Sequence, residues 1–200
     1  TLIEDLAHCV GTKYENGKEA GTIGDFVALS FSQDKVIDAV SGGALVIRNK
    51  QFNNSTIQQF NNVNNYQQLK DHLYPLLTYK IRTLYDLGLG KPLHFILKNL
   101  NLLSKPMQED LYDFYSLPNW YCNLALNEFN NLPKNLEHRK KIAQIYADNL
   151  DKRNLHSRIL GKISISSNLR FPIFVENRNG LIKFLKGFKI FVSDIWYDDV

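Results

Sequence analysis

Three short apolar runs near the start of the chain suit β-strands: Thr1-Leu2-Ile3, Phe26 to Phe31, and Ala44 to Ile47. They are nearly continuous rather than alternating, which is the pattern of strands covered on both faces. Polar and Gly-rich stretches between them read as turns. From Tyr66 to Lys105 the period changes. Leu69, Leu73, Leu76, Leu77, Ile81 and Leu84, then Leu93, Ile96, Leu97 and Leu100, recur at helical spacing, so two helices are expected, broken around Gly88-Leu89-Gly90-Lys91-Pro92. Leu124, Leu126, Phe129, Leu132, Leu136, Ile142, Ile145 and Leu150 mark a further amphipathic helix, which Pro133 is expected to interrupt. From Lys162 onward the pattern reads strand, strand, helix, strand: Ile163 to Ser166, Leu169 to Val175, Gly180 to Lys186, and Lys189 to Ile195. Pro172 suits an edge or the start of a strand.

These patterns divide the chain into four parts. Residues 1–50 read as part of an α/β sheet domain, 51–65 as an Asn/Gln-rich loop, 66–115 as a basic helical insertion, and 116–200 as a connecting helix followed by a small α+β domain. In the loop, Gln51-Phe52-Asn53-Asn54 recurs as Gln59-Phe60-Asn61-Asn62, with too little apolar content to order itself. The chain of 200 residues is 44% hydrophobic, enough for a sizeable core. No signal peptide is visible and no apolar run is long enough to span a bilayer. Cys9 and Cys122 have no metal-like spacing, so two reduced thiols and a cytoplasmic setting are expected. His72, His94, His138 and His156 likewise suggest no metal site.

The net charge of +4 is modest, and no aromatic-basic motif for nucleic acid is present. Between Tyr66 and Lys105, six Lys or Arg stand against Asp71 and Asp86, so this stretch alone carries +4 and the remainder is neutral. Such a basic hairpin could touch a membrane surface or an anionic substrate. An ordinary helical insertion with a solvated basic face is the better reading.

The candidate chemistry lies at the strand ends. Asp5, Ser30 and Lys35 fall at or just after them, where ligands collect in open α/β sheets. An acid, a hydroxyl and a lysine together match the needs of pyridoxal phosphate (PLP): the amine condenses with the aldehyde, the carboxylate holds the ring nitrogen protonated, and hydroxyl and backbone N–H groups bind the phosphate. That spacing alone occurs in most soluble proteins.

The letters are more specific. Ile3-Glu4-Asp5-Leu6-Ala7-His8, Gly21-Thr22-Ile23-Gly24-Asp25-Phe26, Ser30-Phe31-Ser32-Gln33-Asp34-Lys35 and Ser41-Gly42-Gly43-Ala44, in that order, resemble the nucleotide-sugar aminotransferases of the DegT/StrS family, PLP enzymes of fold type I. Arg170-Phe171-Pro172-Ile173 and Trp196-Tyr197 resemble the family's small domain. The resemblance implies an α/β fold made of the C-terminal part of a PLP-binding large domain, with a mixed and mostly parallel sheet, plus the helical insertion and the small domain. It implies that Lys35 forms the Schiff base, Asp5 faces the ring nitrogen, His8 sits near the ring hydroxyl and Ser30 contacts the phosphate. Where the family places an Asn that reaches the neighbouring subunit's phosphate, this chain has Phe114-Tyr115-Ser116, and Asn119 is only a weak substitute.

The implied reaction moves an amino group from an amino-acid donor, glutamate by expectation, to a keto sugar carried by a nucleotide, in a homodimer when full length. Two alternatives stand beside it. A PLP-dependent sugar dehydratase is disfavoured because Lys35 is retained where such relatives carry His. A catalytically inactive fragment or accessory sugar- or partner-binding subunit follows if this is an internal piece that lacks the first half of the large domain, as the opening directly on the Asp5 strand suggests.

Overall fold

The structure is a computed structural model, and residues 1–52, 60–104, 115–150 and 157–192 are described. It is a mixed α/β chain. Strands β1 (Ile3–Asp5), β2 (Phe26–Ser30) and β3 (Gly43–Ile47) form one sheet in that order, β1 parallel to β2 and β2 antiparallel to β3. The register pairs Asp5 with Ala28 and Ser30 with Gly43, so the C-terminal ends of β1 and β2 lie at one edge with the start of β3.

Two devices shape the connections. After β1 the Glu4 carboxylate, buried, accepts N–H groups from Gly21 at 2.7 Å, Ile23 at 2.9 Å and Gly24 at 2.5 Å, and the Tyr14 hydroxyl at 2.5 Å. Burial alone would raise its pKa, but these donors outweigh it and hold the carboxyl at about 2. The Gly21–Gly24 turn is thus folded around one charge. After β2 the chain makes a closed loop, Phe31 N–H to Gly42 O at 2.8 Å and Ala39 N–H to Phe31 O at 2.9 Å, with Ile37 and Ala39 fully buried beneath it. Gly42 closes this loop at φ 97°, where a Cβ would also strike Leu117.

The sheet is less covered than its apolar runs predict. Val27 is buried, but Leu45 and Val46 of β3 and Ile3 of β1 are exposed.

The helical expectations largely hold. Helix α1 (Asn65–Thr83) is capped by Asn64, whose side chain accepts the Gln67 N–H at 2.8 Å, and α2 (Gly90–Asn99) follows the expected break. Short strands β4 (Asn61–Asn62) and β5 (Tyr115–Ser116) pair in parallel. Helix α3 (Asn119–Asn149) runs straight through Pro133, contrary to the expected interruption. Proline removes one backbone bond, but Ala125, Phe129, Leu132 and Leu136, on one face and on both sides of Pro133, pack on the core of Leu6, Val10, Phe31, Val36 and Ile37. Phe129 meets Phe31 edge-on at 6.1 Å.

The last region differs most from expectation. After α4 (Ser157–Leu160), residues 163–166 turn instead of extending: Ile163 and Ser167 are buried, Asn168 has φ 49°, and Lys13 N–H bonds Ile165 O at 2.7 Å. Residues 169–175 and 189–192 form no strand, because no ladder partner lies beside them among the described residues. Helix α5 (Arg178–Gly187) forms as expected. Residues 53–59, 193–195, Phe114, Trp196 and Tyr197, which carry other sequence expectations, lie outside the described residues.

Candidate active site

The site is built on the β2 loop. Ser30 ends β2, and the turn that follows carries Ser32, Asp34 and Lys35, with Lys35 N–H bonded to Ser32 O at 3.0 Å. Because Val36 and Ile37 are anchored in the core, Lys35 is held at the base of the loop with its side chain only 10% exposed. Its Nζ lies 2.6 Å from His8 Nε2 and 3.3 Å from Asp34 Oδ2. His8 reaches it from the loop after β1, whose backbone is tied down by the Ser167 hydroxyl donating to His8 O at 3.2 Å. Ser30 Oγ lies 3.4 Å from Ser32 Oγ, and Ser32 donates to Asp34 Oδ1 at 3.0 Å.

The structure therefore brings together Lys35 and His8, with Ser30 linked to them through Ser32 and Asp34. Asp5 stands exposed at the end of β1, the strand parallel to β2, where its Oδ1 accepts the Ala7 N–H at 2.9 Å. Asn119 is exposed in the first turn of α3, two residues after Leu117, which packs near Gly42. Among the described residues no hydrogen bond or ion pair joins Asp5 or Asn119 to Lys35. Cys9, beside Asp5, donates its thiol to Asp5 O at 3.3 Å, and burial, then the Asp5 and Glu4 charges, push its pKa up.

Three further residues reach the site without having been singled out by sequence reasoning. Asp34 is one; its acid next to the lysine was visible in the quoted motif. Arg170 places Nη2 4.0 Å from Asp34 Oδ2 and belongs to the Arg170-Phe171-Pro172-Ile173 motif, whose letters were read for fold alone. Gln33 donates through Nε2 to Ser104 Oγ at 2.9 Å, tying the lysine loop to the segment after α2. No sequence signal pointed to that contact. The helical segment is also fixed to α3: the buried Tyr121 hydroxyl donates to the buried Asp71 at 2.5 Å, and Gln67 donates to the other Asp71 oxygen at 2.9 Å. Burial, then the Asp71 contact, pushes the Tyr121 pKa up. No described helix is long and apolar enough to cross a membrane.

A mixed α/β chain that carries a shielded lysine between an imidazole and a carboxylate at the end of a strand has the equipment for carbonyl–amine chemistry. Comparison with known proteins points the same way: residues 1–84 match the profile of the DegT/DnrJ/EryC1/StrS aminotransferase family. The chain is 29% identical over 175 residues, 87% of its length, to UDP-4-amino-4,6-dideoxy-N-acetyl-beta-L-altrosamine transaminase of Campylobacter jejuni, of which it covers 37%. Its fold is similar to that of a DegT DnrJ EryC1 StrS aminotransferase from Brucella abortus, with a TM-score of 0.53 and 20% identity over 94% of this chain and 40% of the other. The chain thus spans about two fifths of the length of these relatives.

Proposed function

We propose that the chain carries the lysine half of a PLP-dependent aminotransferase site that moves an amino group, with glutamate as donor, onto a nucleotide-linked keto sugar. The observation that carries this reading is the Lys35 amine, shielded at the strand end and 2.6 Å from His8 Nε2. The donor set suits the cofactor. Lys35 offers an amine for its aldehyde, His8 an imidazole for its ring hydroxyl, Ser30 a hydroxyl for its phosphate and Asp5 a carboxylate for its ring nitrogen, with Asn119 a weaker phosphate ligand. The Asp34 carboxylate, 3.3 Å from the amine, gives the lysine a charge partner inside the site.

When bound, the cofactor supplies an electron sink for the cleavage of a Cα–H bond. The chain's own part is proton handling and exclusion of water. Lys35 Nζ and His8 Nε2 are close enough to exchange a proton directly, and Asp34 offers a charge that stabilises the protonated member of the pair. A lysine at this position suits reversible proton transfer and so favours transamination over dehydration.

A second reading, that this chain acts only once completed by further polypeptide, is supported by the exposed Ile3, Leu45 and Val46 of the sheet. A homodimer is part of the same proposal. Absorbance titration with PLP, with and without borohydride, tests the central reading in the chain and in Lys35→Ala. A borohydride-stable adduct that requires Lys35 is expected. Its absence both from the chain alone and from the chain supplied with the remaining part of a full-length relative would overturn the proposal.

A further inference from the structure

Asp34 is the least expected residue of the site. Ser32 holds its Oδ1 by a hydrogen bond at 3.0 Å, and its side chain is 17% exposed. Oδ2 is buried and takes no well-aligned hydrogen bond, so its charge is met through ion-pair contacts. Three nitrogen groups from three separate segments converge on it: Lys35 Nζ at 3.3 Å, His8 Nε2 at 3.9 Å and Arg170 Nη2 at 4.0 Å. Lys35 turns its hydrogen-bonding geometry toward His8 and keeps only a charge contact with Oδ2. The carboxylate thus holds the amine by a close ion pair while the amine faces His8.

We propose that Asp34 is the positioning residue of this site, holding the Lys35 amine beside His8 through Oδ2 until a reacting partner arrives. The proposal rests on the reading of Lys35 as the reactive amine. The charged and titratable groups around it are His8, Arg170 and Asp38. Arg170, and His8 when protonated, oppose a second positive charge, and Asp34 is the carboxylate in ion-pair contact with Lys35, His8 and Arg170 among the described residues. Burial would raise the pKa of Asp34, but the Ser32 hydroxyl and then the charge and close contact of the Lys35 amine outweigh it and lower it. Burial, and then the Asp34 charge, raises the pKa of Asp38. Asp34 thus interacts with its neighbours as an ionised group.

Competitive acetylation of the chain without cofactor, across a pH series and read at Lys35 by peptide mass spectrometry, tests this. Asp34→Asn is expected to make Lys35 react about tenfold faster near neutrality, because the amine loses the charge partner that holds it at 3.3 Å. Asp38→Asn is expected to leave the profile in place. An Asp34→Asn profile that superimposes on the parent overturns the proposal, since a merely structural role would not move it. If Asp34→Asn does not fold, 13C titration of the Asp34 carboxyl in Lys35→Met decides. An upward shift supports the coupling and an unmoved midpoint refutes it. Neither readout needs PLP, so failure to form a cofactor adduct and failure of Asp34 to control Lys35 are separate results.

Discussion

The two ends of the described chain treat their large apolar residues in opposite ways. Near the start, Val27, Phe31, Val36 and Ile37 are buried and the loops between strands close on themselves. Near the end, Phe174, Phe184, Phe188 and Phe191 are each more than half exposed and only α5 is regular. The difference lies in where backbone groups find partners. The first region satisfies its turns locally, through the Glu4 carboxylate and the closed 31–42 loop, and uses α3 as a lid on its core. Extended segments of the last region would need ladder partners from elsewhere. A site that needs rigid placement therefore sits in the first region, and Arg170 and Ser167 reach toward it from the second.

Stability measurements can break this contrast. Ile37→Ala, at a fully buried position, is expected to cost about 3 kcal/mol in urea unfolding, from lost transfer energy and a cavity. Glu4→Gln should cost about 2 kcal/mol by weakening charge-assisted bonds to three backbone N–H groups and Tyr14. The same residue sets an acid limit. Its folded pKa of about 2 lies below the ordinary value of 4.5, so its contribution is complete above pH 4.5 and is lost as pH falls toward 2. Unfolding free energy followed across that window should drop in the parent and stay flatter in Glu4→Gln. Tyr121→Phe, which leaves an Asp71 oxygen short of a donor, is expected to cost about 1–2 kcal/mol. At the other end of the scale, Phe191→Ala should change stability by no more than about 0.5 kcal/mol. A large loss there would show that the final region is packed as tightly as the first.

Much of this was legible in the sequence for physical reasons. Continuous apolar runs marked β2 and β3 but met β1 only at Ile3, and leucine spacing marked α1, α2 and α3. The lysine loop was legible from its motif, and the quoted glycines make sense where Gly42 takes φ 97°. Three things were not legible. Pro133 does not end α3, because packing on both sides of it outweighs one missing backbone bond. The apolar stretch from Ile163 is a turn, because the Asn168 amide bonds back to the Ile163 and Ser166 carbonyls while the Ser167 N–H is taken by the distant Thr12 hydroxyl. Asp34 and Arg170 acquired a role only once folding brought segments 136 residues apart to one oxygen. The partnership of Glu4 with the Gly21–Gly24 turn could have been suspected, since both lie in the quoted motifs, but charge pairing with backbone N–H groups leaves no periodic signal.

The central claim is that Lys35 is the amine prepared for a carbonyl partner. Borohydride reduction of the PLP-treated chain followed by peptide mapping tests it most directly. The account predicts a reduced pyridoxyl group on the peptide containing Lys35 at substoichiometric PLP, ahead of exposed lysines such as Lys91 and Lys98. Label distributed over those exposed lysines with Lys35 unmodified would contradict it.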